Sequence, residues 1–107
     1  MKDIRVLVFV SPKCPHCPAA EALVKRTVPE YQSQGLSYQK IRTKTSEGKK
    51  LSQEYNVLAT PTILFLDKTG KEIKRIAGVP SENSLRGDIE SALGIKKSFF
   101  SKIFGKT

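Results

Sequence analysis

The stretch "SPKCPHCPAA" (11–20) follows directly on the run "DIRVLVFV" (3–10), and this junction decides the fold. The run is apolar, β-branched and nearly continuous, the pattern of a strand buried on both faces. The junction holds the only two cysteines of the chain, three apart, with Pro15 and His16 between them and a proline on either flank. Beyond it Ala20, Leu23, Val24, Thr27 and Val28 recur at helical spacing, with Glu21, Lys25 and Arg26 opposite. A cysteine pair therefore sits where a buried strand ends and a helix begins. Open α/β sheets place their sites at such points.

Working outward, Pro29 ends or kinks that helix and Gly35 marks its latest stop. "LSYQKIRT" (36–43) alternates like a half-buried strand. Thr45 or Ser46 then caps a second helix, with Glu47 in its first turn and Leu51 and Tyr55 on its inner face. "TPTILFLD" (60–67) is a strand entered through a proline, and "KTG" (68–70) turns it into "KEIKRIAG" (71–78) as a hairpin. Ser81 caps a third helix that buries Leu85, Ile89 and Leu93, and Gly94 stops it. The order β-α-β-α-β-β-α predicts an α/β fold. Its first two strands are parallel and its last two antiparallel, in a four-stranded mixed sheet with helices on both faces.

The 107 residues suit one domain, over 1–94, followed by a basic amphipathic tail over 95–107. The longest apolar run, Val6 to Val10, is too short for a membrane span or a signal peptide, so a cytoplasmic protein is expected. In that compartment a lone cysteine pair serves catalysis or metal binding more often than it staples a fold. Nineteen Lys and Arg against ten Asp and Glu leave a net charge of +9. Four of the lysines (Lys96, Lys97, Lys102 and Lys106) lie in the tail, where no acid sits, which leaves the body with an ordinary surplus. No arginine-rich stripe or aromatic–basic alternation accompanies the charge, and no nucleic-acid partner is expected. In the tail Phe99, Phe100, Ile103 and Phe104 share one helical face, with Lys102 and Lys106 off it. Such a segment either packs on its own domain or lies on a membrane surface or partner.

The spacing of the pair carries its chemistry. Cys14 precedes the helix, so free first-turn N–H groups and the positive helix end favour its thiolate, the species that attacks disulfides. Pro15 suits an early helical position and Pro18 the first turn, where neither wastes an N–H. Three-residue separation at a helix start can bring the two sulfurs within bonding distance. Cys14 is then the nucleophile and Cys17, tucked inside the first turn, the resolving thiol. A protonated His16 would add positive charge beside the Cys14 thiolate; its plainer reading is a solvent-facing loop residue.

These residues resemble the thioredoxin family over nearly all of 3–94. "CPHC" stands at the family's CxxC motif, and "VLATPTILFLDKTGKEIKRIAGVPS" (57–81) follows the family's second half, with a proline before the third strand, a hairpin, and a glycine before the last helix. The absence of a first strand and helix makes the chain similar to the compact, glutaredoxin-sized forms of archaea. The resemblance implies a cis Thr60–Pro61 bond lying against the cysteines, with the Thr60 backbone pairing with an extended substrate and Pro61 keeping metal from the thiols. Lys13, where the family has tryptophan, joins them on the substrate-binding side. It implies protein disulfide substrates, a reductase as electron donor, no bound cofactor and a monomer.

Departures from the family pattern carry their own expectations. The family's buried proton-transferring aspartate is replaced by Val8, which leaves proton handling to His16, Lys13 or water. The paired glycines of glutaredoxins are reduced to Gly78, which argues against glutathione binding. The Pro-His dipeptide matches strongly oxidising periplasmic members, without their inserted helical domain or export signal. Two rival readings stand beside the exchange reaction. Cys14, His16 and Cys17 supply two or three of the four ligands of a closed zinc site, but no further cysteine or histidine exists to complete it. Alternatively, the fold only presents an interaction surface.

Overall fold

In a computed structural model that describes residues 3–94, the sheet is built around β1 (Ile4–Val10). β1 pairs in parallel with β2 (Leu36–Arg42) and antiparallel with β3 (Thr62–Leu66), which pairs antiparallel with β4 (Glu72–Ala77). The strand order is β2-β1-β3-β4, a four-stranded mixed sheet as the element order predicts. Three α-helices complete it: α1 (Cys17–Thr27), α2 (Ser46–Glu54) and α3 (Glu82–Leu93). The tail expected over 95–107 lies outside the described residues.

Helices cover both faces of the sheet, which is why the central strands read as unbroken apolar runs. On one face Val6, Val8 and Val10 of β1 and Ile63 and Phe65 of β3 pack under α1 and α3, against Leu23, Val24, Leu85 and Ile89. On the other, Leu7, Phe9, Ile41, Leu64 and Leu66 pack with Val57 and with Leu51 and Tyr55 of the α2 region. Only Arg5 of β1 reaches solvent. Each such aliphatic or aromatic side chain contributes roughly 1.5–3 kcal/mol on burial, so β1 is fixed in register from both sides. Val8, fully buried, belongs to this apolar layer.

The helix boundaries show where local chemistry decides and where it does not. Pro29 ends α1, because it has no N–H to continue the ladder. The chain runs on as a 3₁₀ segment (Val28–Gln34) that Gly35 closes at φ 99°. Thr45, not Ser46, caps α2: its hydroxyl accepts from the Gly48 N–H at 2.9 Å and donates to the Arg42 carbonyl at 2.8 Å. Tyr55 falls at the C-cap, just past the α2 face that sequence spacing assigns to it. Ser81 caps α3 and Gly94 ends it at φ 82°. Leu85 and Ile89 are fully buried, while Leu93 is half-buried. Gly48 brings the start of α2 against the end of β2, where a Cβ would stand 1.8 Å from the Arg42 carbonyl oxygen. No other residue fits there.

Candidate active site

Cys14 lies in the loop between β1 and α1, and Cys17 is the first residue of α1. The two are joined by a disulfide, with Cα atoms 5.4 Å apart. Cys17 is buried in the α1–α3 core at 3% exposure, whereas Cys14 is half-exposed at its edge. Because its sulfur is bonded to that of the first helical residue, the Cys14 sulfur sits at the positive end of α1. A negative charge there gains about 0.3–1 kcal/mol, and more where partly buried.

The helix begins later than the proline pattern suggests. Cys17 donates its N–H to the Cys14 carbonyl at 3.4 Å, so residues 14–17 form a turn with His16 as the N-cap. Pro15 is therefore in the turn and not in the helix, while Pro18 occupies the first turn as expected. The turn closed by Cys17 takes up Pro15 and His16, and the first helical bond outside it runs from the Ala20 N–H to the His16 carbonyl at 3.2 Å. His16 is exposed and makes no side-chain capping bond; Lys13 is likewise exposed on the loop.

A second loop reaches the motif loop at Ser11 from forty-nine residues away. The Ser11 and Thr60 hydroxyls are hydrogen-bonded at 2.9 Å, tying the motif loop to the segment before β3. The Thr60–Pro61 peptide bond is cis, and Pro61 is buried. The Pro61 carbonyl accepts from the Gly78 N–H at 2.9 Å, and the Thr62 hydroxyl donates to the Ala59 carbonyl at 2.6 Å. Among the described residues no backbone hydrogen bond engages the N–H or C=O of Thr60.

Ser11 separates two clefts. One, of about 370 Å³, is lined by both cysteines, Pro18, Glu21, Lys40, Arg42 and Lys44. The other, of about 400 Å³, is lined by Lys49, Ser52, Leu58 and Thr60, and Leu58 is 95% exposed. In the first cleft Lys40 Nζ lies 2.8 Å from Glu21 Oε2. The charge of Glu21 reaches Tyr38 as well: burial first, and Glu21 second, push the Tyr38 hydroxyl above the usual tyrosine range. No group of three or more His, Cys, Asp or Glu is placed to hold a metal among the described residues.

Of the residues singled out in the sequence, the structure gathers Cys14, Cys17, Thr60 and Pro61 at one end of the sheet, with Lys13, Pro15 and His16 on the rim. Sequence reasoning missed Ser11, Leu58 and the Glu21–Lys40 pair. Glu21 reads as a solvent-side residue of an amphipathic helix, yet it stands one turn from Cys17, a spacing that marks shared-face neighbours. Ser11, Leu58 and Lys40 carry no such signal, since only the packing of distant segments puts them here.

Comparison with known proteins places this arrangement. The family described as Thioredoxin-like domain matches residues 2–92. A probable thioredoxin of Archaeoglobus fulgidus is 31% identical over 91 residues, covering 85% of this chain and 91% of that protein. A thioredoxin of Methanocaldococcus jannaschii is 33% identical over 65 residues, 61% of this chain and 73% of its own. Among solved structures, the germline-specific thioredoxin Deadhead of Drosophila melanogaster superposes with a TM-score of 0.71 at 27% identity, covering 83% of this chain and 80% of that one. Thioredoxin-2 of the malaria parasite, a component of its protein secretion machinery, gives 0.71 at 21% identity and 84% coverage of each chain, a likeness of fold.

Proposed function

The chain belongs to the thioredoxin-like family and is a thiol–disulfide oxidoreductase, and on that premise we propose that it reduces disulfides of other proteins in the cytoplasm. The observation that carries the reading is the asymmetry of the pair: one sulfur half-exposed at a helix N-terminus, its partner buried within bonding reach.

The asymmetry divides the reaction into two displacements. The Cys14 thiolate attacks one sulfur of the substrate disulfide; a mixed disulfide forms and the first substrate sulfur leaves, taking a proton from water. Cys17 then loses its proton and attacks the Cys14 sulfur. The Cys14–Cys17 bond forms, the mixed disulfide breaks, and the second substrate sulfur leaves as a thiol. Two electrons pass to the substrate, and a reductase returns them. Helix α1 lowers the cost of the Cys14 thiolate, and the positive charge of Lys13 beside it acts in the same sense. His16, exposed at the N-cap, adds to that effect when protonated.

Substrate capture falls to the neighbouring loop. The unpaired backbone of Thr60 receives an extended segment as an added strand, and Pro61, without an N–H, shapes the floor beneath it. Leu58 offers the apolar contact that a partly unfolded chain provides in return. No cofactor takes part, and a monomer suffices.

Insulin reduction by dithiothreitol tests the proposal. The protein should accelerate it and Cys14→Ser should not; no acceleration by the native protein would leave only an interaction module. The direction of work follows from the potential of the pair. A value near about −270 mV marks a reductant, and one near about −120 mV an oxidant.

A further inference from the structure

The resolving step needs something the residues named so far do not supply. Cys17 is 3% exposed, so its thiol must lose a proton with little help from bulk water before it can attack. Lys13 and His16 are both exposed on the outer side of the motif, and Val8 beneath Cys17 has no acid–base chemistry. Among the described residues, the cleft beside Cys17 contains one carboxylate, that of Glu21. It lies four residues on along α1, on the same helix face as Cys17, where side chains stand about 5–6 Å apart at Cβ. It is not free to swing into solvent: Lys40 Nζ holds Oε2 at 2.8 Å, with both side chains about one-third exposed or less, 27% for Glu21 and 33% for Lys40.

We propose that Glu21, anchored by Lys40 in the wall of the cleft, accepts the proton of Cys17 during resolution. The inference rests on the exchange reaction above and assigns its missing base. The Cys17 thiol gives its proton to the Glu21 carboxylate, directly or through one water in the cleft, and the thiolate attacks Cys14. The Cys14–Cys17 bond forms as the bond to the substrate sulfur breaks, and the departing sulfur recovers a proton from Glu21 or from water. Atoms and electrons balance without a further reactant. Lys40 is a positioning residue: it holds the carboxylate in the cleft.

The groups facing this pair are few. From β2 come Tyr38, Lys40 and Arg42, and from the loop after it Lys44; β1 contributes only the apolar Val10. On α1 itself Lys25 is one turn beyond Glu21, and His16 lies at the helix start. Glu21 is the one anion among them.

Reaction of the reduced protein with 5,5′-dithiobis(2-nitrobenzoate) separates the two displacements. Attack by Cys14 releases the first thionitrobenzoate and attack by Cys17 the second, so stopped-flow absorbance records two phases. Glu21→Gln should slow the second phase about a hundredfold near pH 6.5, in the range of a positioned general base, and leave the first within about twofold. The gap should narrow as pH rises, because hydroxide increasingly takes the place of the carboxylate as base. Glu21→Asp, which keeps a carboxylate, should recover part of the rate, and matching thermal melts would show that the variants fold. An equal slowing at every pH, an equal slowing of both phases, or no slowing would overturn the role of Glu21. If the native protein showed neither phase, the exchange reaction itself would fall, and the inference with it.

Discussion

At the end of the sheet far from the cysteines, the β3–β4 connection is held mostly from within, with one bond from the Tyr55 hydroxyl to the Gly70 carbonyl at 2.8 Å. Asp67 Oδ1 accepts from the Thr69 N–H at 2.9 Å, the Thr69 hydroxyl at 2.6 Å and the Lys71 N–H at 3.0 Å. At the cysteine end, the loops are held by partners distant in sequence: Ser11 by Thr60, and Pro61 by Gly78. The bonds of Asp67 are written in five consecutive residues. Those at the cysteine end exist only once the sheet has formed. Chemistry sits at the end whose loops are fixed from a distance, because such loops can approach one another without being joined.

The sharpest test of that contrast is Cys14→Ser, which should return insulin reduction to the uncatalysed level while urea unfolding of the reduced protein stays nearly unchanged. Next in size is Gly48→Ala. With a Cβ 1.8 Å from the Arg42 carbonyl oxygen, α2 must shift off β2, at about 1–3 kcal/mol measured by urea midpoint. Activity should fall with it, since Arg42, Lys44 and Thr45 wall the cleft beside the cysteines.

Two single-hydroxyl deletions pit the ends against each other. Ser11→Ala loses the bond to Thr60, and Tyr55→Phe loses the 2.8 Å bond from its hydroxyl to the Gly70 carbonyl at the far turn. Each should cost about 1 kcal/mol of stability. Only Ser11→Ala should also slow insulin reduction, by several-fold; equal activity in both would erase the distinction between the ends.

The smallest effect is electrostatic. The Thr69 hydroxyl first, then the Lys71 N–H, hold the Asp67 carboxyl below the usual carboxylate range. A lowered folded value means stability that is full above the ordinary carboxylate range, about pH 3.9, and lost as pH falls through the lowered value. Asp67→Asn should therefore unfold at slightly lower urea than the native protein at pH 7, with the two midpoints converging in acid and activity untouched.

The same division governs what the sequence revealed. The strands, the hairpin, the cap at Ser81 and the stops at Gly35 and Gly94 were legible, because each depends on periodicity or on a residue's own conformational preference. The cap of α2 was narrowed to Thr45 or Ser46, and the structure selects Thr45. Cys14 and Cys17 were legible because their spacing is chemistry. The start of α1 was placed too early because two prolines suggested helix, whereas Pro15 and His16 form the turn that leads into it. Gly48 gave no sign of its role, since a glycine inside a helix looks like a weakness until β2 is packed against it. Glu21 and Lys40, on different elements, could not be seen as a pair.

The measurement closest to the central claim is the pH dependence of alkylation of the reduced protein by iodoacetamide, followed at each cysteine by mass spectrometry. Cys14 should react with a midpoint well below the ordinary thiol value of about 8.5, while Cys17 stays protected until the protein unfolds. A Cys14 that titrates like a free thiol, or a Cys17 modified equally fast, would contradict the account.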